Sequence, residues 1–141
     1  MNKVNWVRWC TAITVVTCTL ILSTASDTRR AEADDPIKIG FSMALTGALA
    51  GAGQAALLSM EIWAEDINST GGLLGRQVEL IYYDDQTNPS LVPGIYTKLI
   101  NIDRVDLLVS GYGTATIVPA MPIIMNYNRL FLTLFALAGN E

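Results

Sequence analysis

The sequence predicts an α/β fold in which a parallel β-sheet carries helices on both faces. Four strand-like runs alternate with three helical runs between residues 37 and 134, and the connections between them are short. Consecutive strands joined by helical crossovers are parallel, and the crossovers are right-handed. A glycine-rich turn at residues 45–53 separates the first strand from the first helix. Ligands of such folds bind beyond the carboxyl ends of the strands, so this turn is a candidate binding element.

The first 33 residues have the composition of a secretory signal peptide. Basic residues precede a mostly apolar run of 14 residues, Trp9–Leu22, and small residues follow it. A membrane-spanning helix needs about 20 apolar residues, which favours a signal peptide over an uncleaved anchor. A small-x-small sequence ending at Ala33 sets the predicted boundary, although cleavage after Ala25 or Ser26 would lie nearer to the apolar run.

The composition excludes several kinds of chemistry. Both cysteines, Cys10 and Cys18, lie in the predicted signal peptide, and histidine is absent from the sequence. The mature chain would therefore have no disulfide, no thiol chemistry and no histidine-based catalytic pair. Of the 13 acidic and 9 basic residues, eleven and five lie beyond residue 33. Five scattered basic residues form no stripe along a phosphate backbone, so we expect no nucleic-acid partner.

The first two strands flank an amphipathic helix. Residues 37–43 alternate apolar with small or polar side chains, and residues 78–84 are rich in β-branched and aromatic side chains. Each run predicts a strand. Between them, apolar side chains recur at helical spacing over residues 53–67, and Gly71 and Gly72 end the helix.

The second half of the chain repeats this alternation. An apolar face over residues 91–100 predicts a second helix, and residues 105–110 and 129–134 predict the third and fourth strands. A third helical stretch runs from about Thr114 to Tyr127, and Pro122 is expected to kink it or to shift its start. The pattern ends without a helix over the last strand, which predicts an incomplete domain.

The glycine-rich turn by itself also matches a class of enzymes. Residues 46–53 have the Thr-Gly-x-x-x-Gly-x-Gly spacing of short-chain dehydrogenases, in which Asp84 would hold the ribose of an NAD(P) cofactor. No tyrosine in the chain has a lysine four residues later, so the proton-transfer pair of those enzymes is absent. The hypothesis of an NAD(P)-dependent dehydrogenase is therefore kept only as an alternative.

Asp84 and Asp85 form an adjacent carboxylate pair after the second strand. Such a pair can hold Mg²⁺ in a phosphoryl-receiver domain, where it follows the first strand instead. The simpler interpretation is two solvated acids that close a strand, because a metal site needs several converging oxygens. We expect no metal ion and no cofactor.

An anion site is predicted where the third strand ends. Gly111 and Gly113 precede Thr114 and Thr116 at the start of a helix. Backbone amides and two hydroxyls there would hold a carboxylate without any charged side chain. The alternative is that Thr114 only caps the helix. Together with the signal peptide and the parallel sheet, this site favours a ligand-binding protein over a catalyst.

A set of short motifs is specific in its combination and order. They are Ile37-Lys38-Ile39-Gly40, Leu45-Thr46-Gly47 with Ala50 and Gly53, Asp66-Ile67-Asn68 with Gly71-Gly72, Gly75-Arg76, Tyr83-Asp84-Asp85, Asn88-Pro89, Leu99-Ile100, Val105-Asp106, and Gly111 with Thr114 and Ala120. With these motifs the sequence resembles the extracytoplasmic solute-binding proteins of branched-chain amino acid type ABC transporters. The resemblance implies the type I periplasmic binding protein fold of two flavodoxin-like lobes. Residues 34–141 would be the first part of the N-terminal lobe.

The resemblance also implies which residues meet the ligand. Thr114 matches a serine or threonine that contacts the ligand carboxylate, and residues 135–137 match a second contacting segment. Phe135 and Leu137 stand where amino acid binders commonly have a small residue and a threonine, and Ala52 replaces an aromatic residue, so the pocket would be reshaped. The predicted ligand-binding residues are Ala52, Tyr112, Gly113, Thr114, Ala115, Thr116, Phe135, Ala136 and Leu137.

Finally, the resemblance implies a function without catalysis. The protein would bind a small polar solute, such as an amino acid, an amide or a related carboxylate, and deliver it to a membrane permease. It would be periplasmic or secreted. The ligand-sensing domain of a receptor is the alternative in the same fold. The chain alone is expected to bind weakly, because one face of the cleft would be missing.

Overall fold

The computed structural model describes residues 35–136, which form a four-stranded parallel sheet with helices on both faces. The strands are β1 (Ile37–Met43), β2 (Val78–Asp84), β3 (Leu107–Val109) and β4 (Phe131–Leu132). The helices are α1 (Ala50–Ser69), α2 (Val92–Asn101), α3 (Thr114–Ile117) and α4 (Met121–Asn126). The predicted α/β class is confirmed, whereas the predicted signal peptide lies outside the described residues.

The strand order in the sheet is β2-β1-β3-β4, and every pair is parallel. β1 pairs with β2 along its whole length, from Ile37 opposite Val78 to Met43 opposite Asp84. The chain therefore moves from β1 to one side and then returns across it to β3. Right-handed crossovers place α1 on one face of the sheet and α2 on the other for this reason.

The alternation of side chains along β1 separates two apolar cores. Its odd-numbered residues from Ile37 to Met43 pack beneath α1, against the buried Met60. On the opposite face, α2 and α4 bury Tyr96 and Ile124. Gly40 faces this second core, and a Cβ there would lie 2.8 Å from a methyl carbon of Val105. The sheet is thus covered by helices on both sides of β1.

The third helical stretch differs from the prediction. It is broken into α3, a 3₁₀ turn at Val118–Ala120, and α4. Pro119 and Pro122 lie near the starts of the 3₁₀ turn and α4. Neither can donate a backbone hydrogen bond, so the α-helical ladder is interrupted at both places. The predicted kink at Pro122 is therefore a change of helix type that begins earlier.

The third and fourth strands are shorter than predicted. Before β3, the Val105 amide donates to the carbonyl of Leu99 in α2, so Val105 pairs with the helix and not with a neighbouring strand. Beyond β4, the Leu134 amide donates to the Ser110 hydroxyl at 3.0 Å rather than to a strand carbonyl. A side-chain hydrogen bond thus replaces the backbone hydrogen bond that would have extended the strand.

The first helix is longer than predicted at both ends, beginning at Ala50 and ending at Ser69. The amides of Gly71 and Gly72 donate back to Asn68 and Ile67, which terminates it as the two glycines predict. Within residues 35–136, no helix combines the length and apolar character needed to cross a membrane.

Candidate functional site

The loops that follow the four strands lie together at the carboxyl edge of the sheet. They span residues 44–49 after β1, 85–91 after β2, 110–113 after β3 and 133–136 after β4. Because α1, which follows β1, and α4, which comes after β3 in the chain, lie on opposite faces, the chain leaves β1 and β3 in opposite directions. A crevice forms between the two loops at such a reversal, and it is the preferred ligand position in open α/β sheets.

The glycine-rich turn packs against the protein's own backbone. Gly47 has a φ of +84°, and a Cβ there would lie 2.4 Å from the carbonyl oxygen of Gln86. A Cβ on Gly53 would lie 2.0 Å from the carbonyl oxygen of Ala44, whereas one on Gly51 would meet nothing within 4 Å. Two glycines of the turn are therefore required by close approach within the protein, with no bound phosphate needed to explain them.

The Asp84 carboxylate holds this turn. Its Oδ1 accepts hydrogen bonds from the amides of Leu45 (3.0 Å), Thr46 (3.1 Å) and Gln86 (2.8 Å), and its Oδ2 accepts the Thr46 hydroxyl at 2.6 Å. Partial burial raises the pKa of Asp84, but these hydrogen bonds outweigh it, so the net pKa is lowered. A carboxylate engaged in this way does not have the role that the dehydrogenase alternative assigns to it.

Asp85 is not the solvated acid that the sequence suggested, because it is fully buried. Its Oδ1 accepts the Thr87 amide at 2.9 Å. Its Oδ2 and the buried Ser42 hydroxyl have no hydrogen-bond partner in the part of the chain that the structure describes. Burial raises the pKa of Asp85, and the neighbouring charge of Asp84 adds to the effect. Residues 35–136 contain no cluster of three side chains that could hold a metal ion.

The two pKa shifts have opposite consequences for stability. The lowered pKa of Asp84 stabilises the fold above the ordinary carboxyl value of 3.8, and this contribution is lost as pH falls through the lowered value. Folding instead raises the pKa of Asp85, so its contribution is most favourable below pH 3.8 and declines as pH rises through the raised value. The buried carboxyl thus favours folding less when it ionises.

The loop after β3 presents Thr114 and encloses Thr116. Gly113, with a φ of +97°, is the N-cap residue of α3, so Thr114 is the first residue of the helix rather than its N-cap. Thr114 and Ala115 are exposed, whereas Thr116 is buried. The Thr116 hydroxyl donates to the carbonyl oxygens of Tyr112 (2.8 Å) and Gly113 (2.9 Å). Of the two predicted hydroxyls, the one on Thr114 lies at the surface and the one on Thr116 closes the loop.

The loop after β4 lies beside the loop after β3. Tyr112 and Phe135 form an isolated parallel bridge, and their ring centroids are 6.1 Å apart. The Gly113 amide donates to the Phe135 carbonyl at 3.3 Å. The Phe135 ring packs against the core beneath α1, and Ala136 is exposed. The structure thus brings these two predicted segments together, while Leu137 lies outside the described residues.

Two residues that contact the loops of the crevice, Leu49 and Thr87, were not predicted from the sequence. The side chain of Leu49, the last residue of the turn before α1, faces Gly113, because a Cβ on Gly113 would lie 3.0 Å from Leu49 Cδ1. Thr87, in the loop after β2, forms hydrogen bonds through its hydroxyl to the backbone of Thr46 and Leu49 in the turn. Leu49 is one of the two large apolar residues in a turn of otherwise small residues, and this was its available signal, whereas Thr87 had none. The half-buried Ala52 follows in the first turn of α1.

An apolar groove lies on the α1 face, over β3 and β4. It has a volume of about 580 Å³ and is lined by apolar side chains that include Met60, Trp63, Leu107, Val109 and Leu132. Trp63 is 42% exposed and Leu132 is 56% exposed. This groove follows the α1 face of the sheet and reaches the carboxyl edge at Phe135, which is also one of its lining residues.

Together these features define a class of protein. A parallel sheet whose β1 and β3 loops meet at a reversal of strand order, with exposed small residues and a threonine at that edge, is an α/β ligand-binding lobe. Residues 36–141 match the family model described as periplasmic binding protein. The chain therefore belongs to the periplasmic binding protein family, which confirms the resemblance found in the sequence.

Curated relatives agree with this assignment. The chain is 31% identical over 101 residues to the leucine-, isoleucine-, valine-, threonine- and alanine-binding protein of Pseudomonas aeruginosa, covering 72% of this chain and 27% of that protein. It is 28% identical over 99 residues to the Leu/Ile/Val-binding protein of Escherichia coli K12, covering 70% and 27%. The chain thus spans about a quarter of the length of these relatives.

Solved structures share the fold. The substrate-binding protein LivJ of Streptococcus pneumoniae, in complex with isoleucine, has a TM-score of 0.71 at 23% identity, covering 75% of this chain and 30% of that chain. A solute-binding protein of an ABC transporter from Rhodopseudomonas palustris BisB5, in complex with 3,4-dihydroxybenzoic acid, has a TM-score of 0.65 at 20% identity, covering 73% and 28%. The agreement confirms the type I periplasmic binding protein fold of this lobe.

Proposed function

We propose that this chain forms part of an extracytoplasmic protein that binds a small polar solute and delivers it to the membrane permease of an ABC transporter. The observation that carries the proposal is the meeting of the β1 and β3 loops at the reversal of strand order, where Leu49 lies against Gly113. Membership of the periplasmic binding protein family supports a role in binding rather than in catalysis, and a periplasmic or secreted location.

In an amino acid or an aromatic acid, the group held at the crevice would be the carboxylate. The relatives' names include amino acids, and one structural neighbour holds a dihydroxybenzoic acid; a carboxyl group is common to both. Thr114 is the exposed hydroxyl at the crevice, next to the exposed Ala115. Thr116 would contribute by fixing the loop, because its hydroxyl is already bonded to the backbone.

The predicted departures would set the shape of the pocket. Ala52 is a small residue in the first turn of α1, and the adjoining rings of Tyr112 and Phe135 would form an aromatic wall at the loops after β3 and β4. Ala136 and Leu137 would complete this wall. A pocket with these residues would accommodate an aliphatic amino acid. It would equally accommodate a solute larger or flatter than leucine, such as an amide or an aromatic acid.

A thermal-shift screen tests the proposal. The protein carrying both lobes of the predicted fold would be heated with L-isoleucine, L-leucine, L-alanine, small amides and 3,4-dihydroxybenzoate, each well above its expected dissociation constant. A ligand at 100 times its dissociation constant stabilises the folded state by about 2.7 kcal/mol. Thr114→Val removes the exposed hydroxyl and should weaken the response, whereas Thr97→Val, on the distant α2, should not. If no compound of the panel stabilises the protein, the proposed function is wrong.

A further inference from the structure

The glycine-rich turn is hydrogen-bonded to the last residue of β2 and to the loop that follows it. Asp84 accepts the two amides and the hydroxyl at the start of the turn, from Leu45 and Thr46. Thr87 bonds further along: its hydroxyl donates to the Thr46 carbonyl at 2.9 Å and accepts the Leu49 amide at 3.1 Å. The Thr87 hydroxyl thus joins the start of the turn to its last residue before α1.

The backbone that brings Thr87 to the turn is unusual. Gln86 and Thr87 both have a φ of +57°, a left-handed conformation that costs energy for residues other than glycine. The Gln86 amide is held by Asp84 Oδ1 at 2.8 Å, and the Thr87 amide by Asp85 Oδ1 at 2.9 Å. The carboxylates of Asp84 and Asp85 therefore stabilise the left-handed conformation of Gln86 and Thr87. This conformation places the Thr87 hydroxyl within hydrogen-bond distance of the turn.

The position of the turn decides the width of the crevice. Leu49 contacts the Gly113 backbone across it, and α1, with Ala52 in its first turn, begins at the next residue. A turn free to move would change the distance between the two loops that are proposed to hold the solute. Preorganised binding loops gain affinity because less order must be imposed when the ligand binds.

We infer that Asp84 and Thr87 are positioning residues, which hold the glycine-rich turn in its binding geometry without touching the solute. This inference rests on the proposed function for its effect on affinity. Its structural part, the fixing of the turn, stands on the hydrogen bonds alone. The role differs from the ribose and metal roles considered for Asp84 from the sequence.

Thr87→Val tests the inference with little change in shape. Valine is also β-branched, so it carries a similar backbone strain, but it lacks the hydroxyl that bonds Thr46 and Leu49. We expect hydrogen exchange of the Leu49 amide to speed up about tenfold relative to a buried β1 amide such as that of Phe41. Thr87→Ser keeps the hydroxyl and should restore slow exchange. Unchanged exchange at Leu49 in Thr87→Val would overturn the inference.

Affinity for the solute separates positioning from general stability. Calorimetric titration with L-isoleucine, or with the strongest compound of the screen, should give a dissociation constant about tenfold higher for Thr87→Val and a near-normal one for Thr87→Ser. Ile124→Val, in the core on the opposite face, lowers stability without touching the turn and should leave the affinity unchanged. Faster exchange without loss of affinity would overturn the positioning role. If the unaltered protein binds nothing in the panel, the proposed function fails, while exchange still decides whether Thr87 holds the turn.

Discussion

Two glycines of α1, only two residues apart, should respond in opposite ways to the same substitution. Gly51 and Gly53 are both helical, and neither has a positive φ. A Cβ on Gly51 would meet nothing within 4 Å, whereas one on Gly53 would lie 2.0 Å from the carbonyl oxygen of Ala44. We therefore expect Gly51→Ala to stabilise the protein and Gly53→Ala to destabilise it.

The magnitudes follow from helix propensity and packing. Alanine is favoured over glycine in a helix by up to about 1 kcal/mol, and by about half of that near an end. For Gly53→Ala, this gain is opposed by a contact well inside the ordinary 3.4 Å limit with a backbone atom of the chain that leaves β1. Overpacking of this kind costs about 1–3 kcal/mol. The two variants should therefore differ by about 2 kcal/mol in their free energy of unfolding.

Urea unfolding measures the difference directly. After removal of residues 1–33, Trp63 is the only tryptophan, because the other two are Trp6 and Trp9. Its fluorescence, followed together with far-ultraviolet circular dichroism, reports unfolding of the domain. Equal midpoints for Gly51→Ala and Gly53→Ala, with unchanged slopes, would show that α1 does not approach β1 as described and would refute the reasoning.

Three further predictions concern charge and surface. Asp85→Asn removes the buried carboxyl and with it the contribution that declines as pH rises from 3.8, so stability should rise more or fall less with pH in the variant than in the unaltered protein; identical pH profiles by urea unfolding would contradict this. Arg129→Met loses hydrogen bonds to two backbone carbonyls after α2 and should cost about 1–2 kcal/mol, whereas Arg104→Met, the same change at a residue that is likewise exposed, should cost less than about 0.5 kcal/mol in the same assay. The α1-face groove of the chain should bind an apolar dye with energy transfer from Trp63, and Leu132→Glu should abolish that transfer; dye bound equally by the variant would place the apolar site elsewhere.

The strands and the fold class could be predicted because their signals are local. The β1 and β2 boundaries agree with the structure, since alternation and β-branched side chains report directly on a pleated, half-buried strand. The end of α1 was also marked locally, by Gly71 and Gly72. Where a tertiary contact replaces the local pattern, the prediction failed: Val105 pairs with the end of α2, and Leu134 pairs with a serine hydroxyl.

The candidate site was predictable in outline but not in its internal bonds. Parallel topology alone placed the loops after β1, β3 and β4 at one edge, and the contact of Tyr112 with Phe135 agrees with that expectation. The sequence could not show that Thr116 turns its hydroxyl inward, or that Asp85 is buried, because both depend on side-chain direction within a packed loop. Nor could it show Thr87 beneath the turn, since nothing local links residues about 40 positions apart.

The crevice and the apolar groove have a common origin in the order of the strands. The step from β1 to β2 runs in one direction across the sheet, and the steps from β2 to β3 and β4 run in the other. Because each crossover is right-handed, α1 is the one helix of residues 35–136 on the first face of the sheet, while α2 and α4 share the opposite face. The reversal therefore opens the crevice between the loops of β1 and β3 and, within residues 35–136, leaves β3 and β4 without a helix on the α1 side. A substitution that fills the groove, such as one at Leu132, should consequently leave the crevice geometry at Gly113 unchanged, whereas one at Thr87 should alter the crevice and spare the groove.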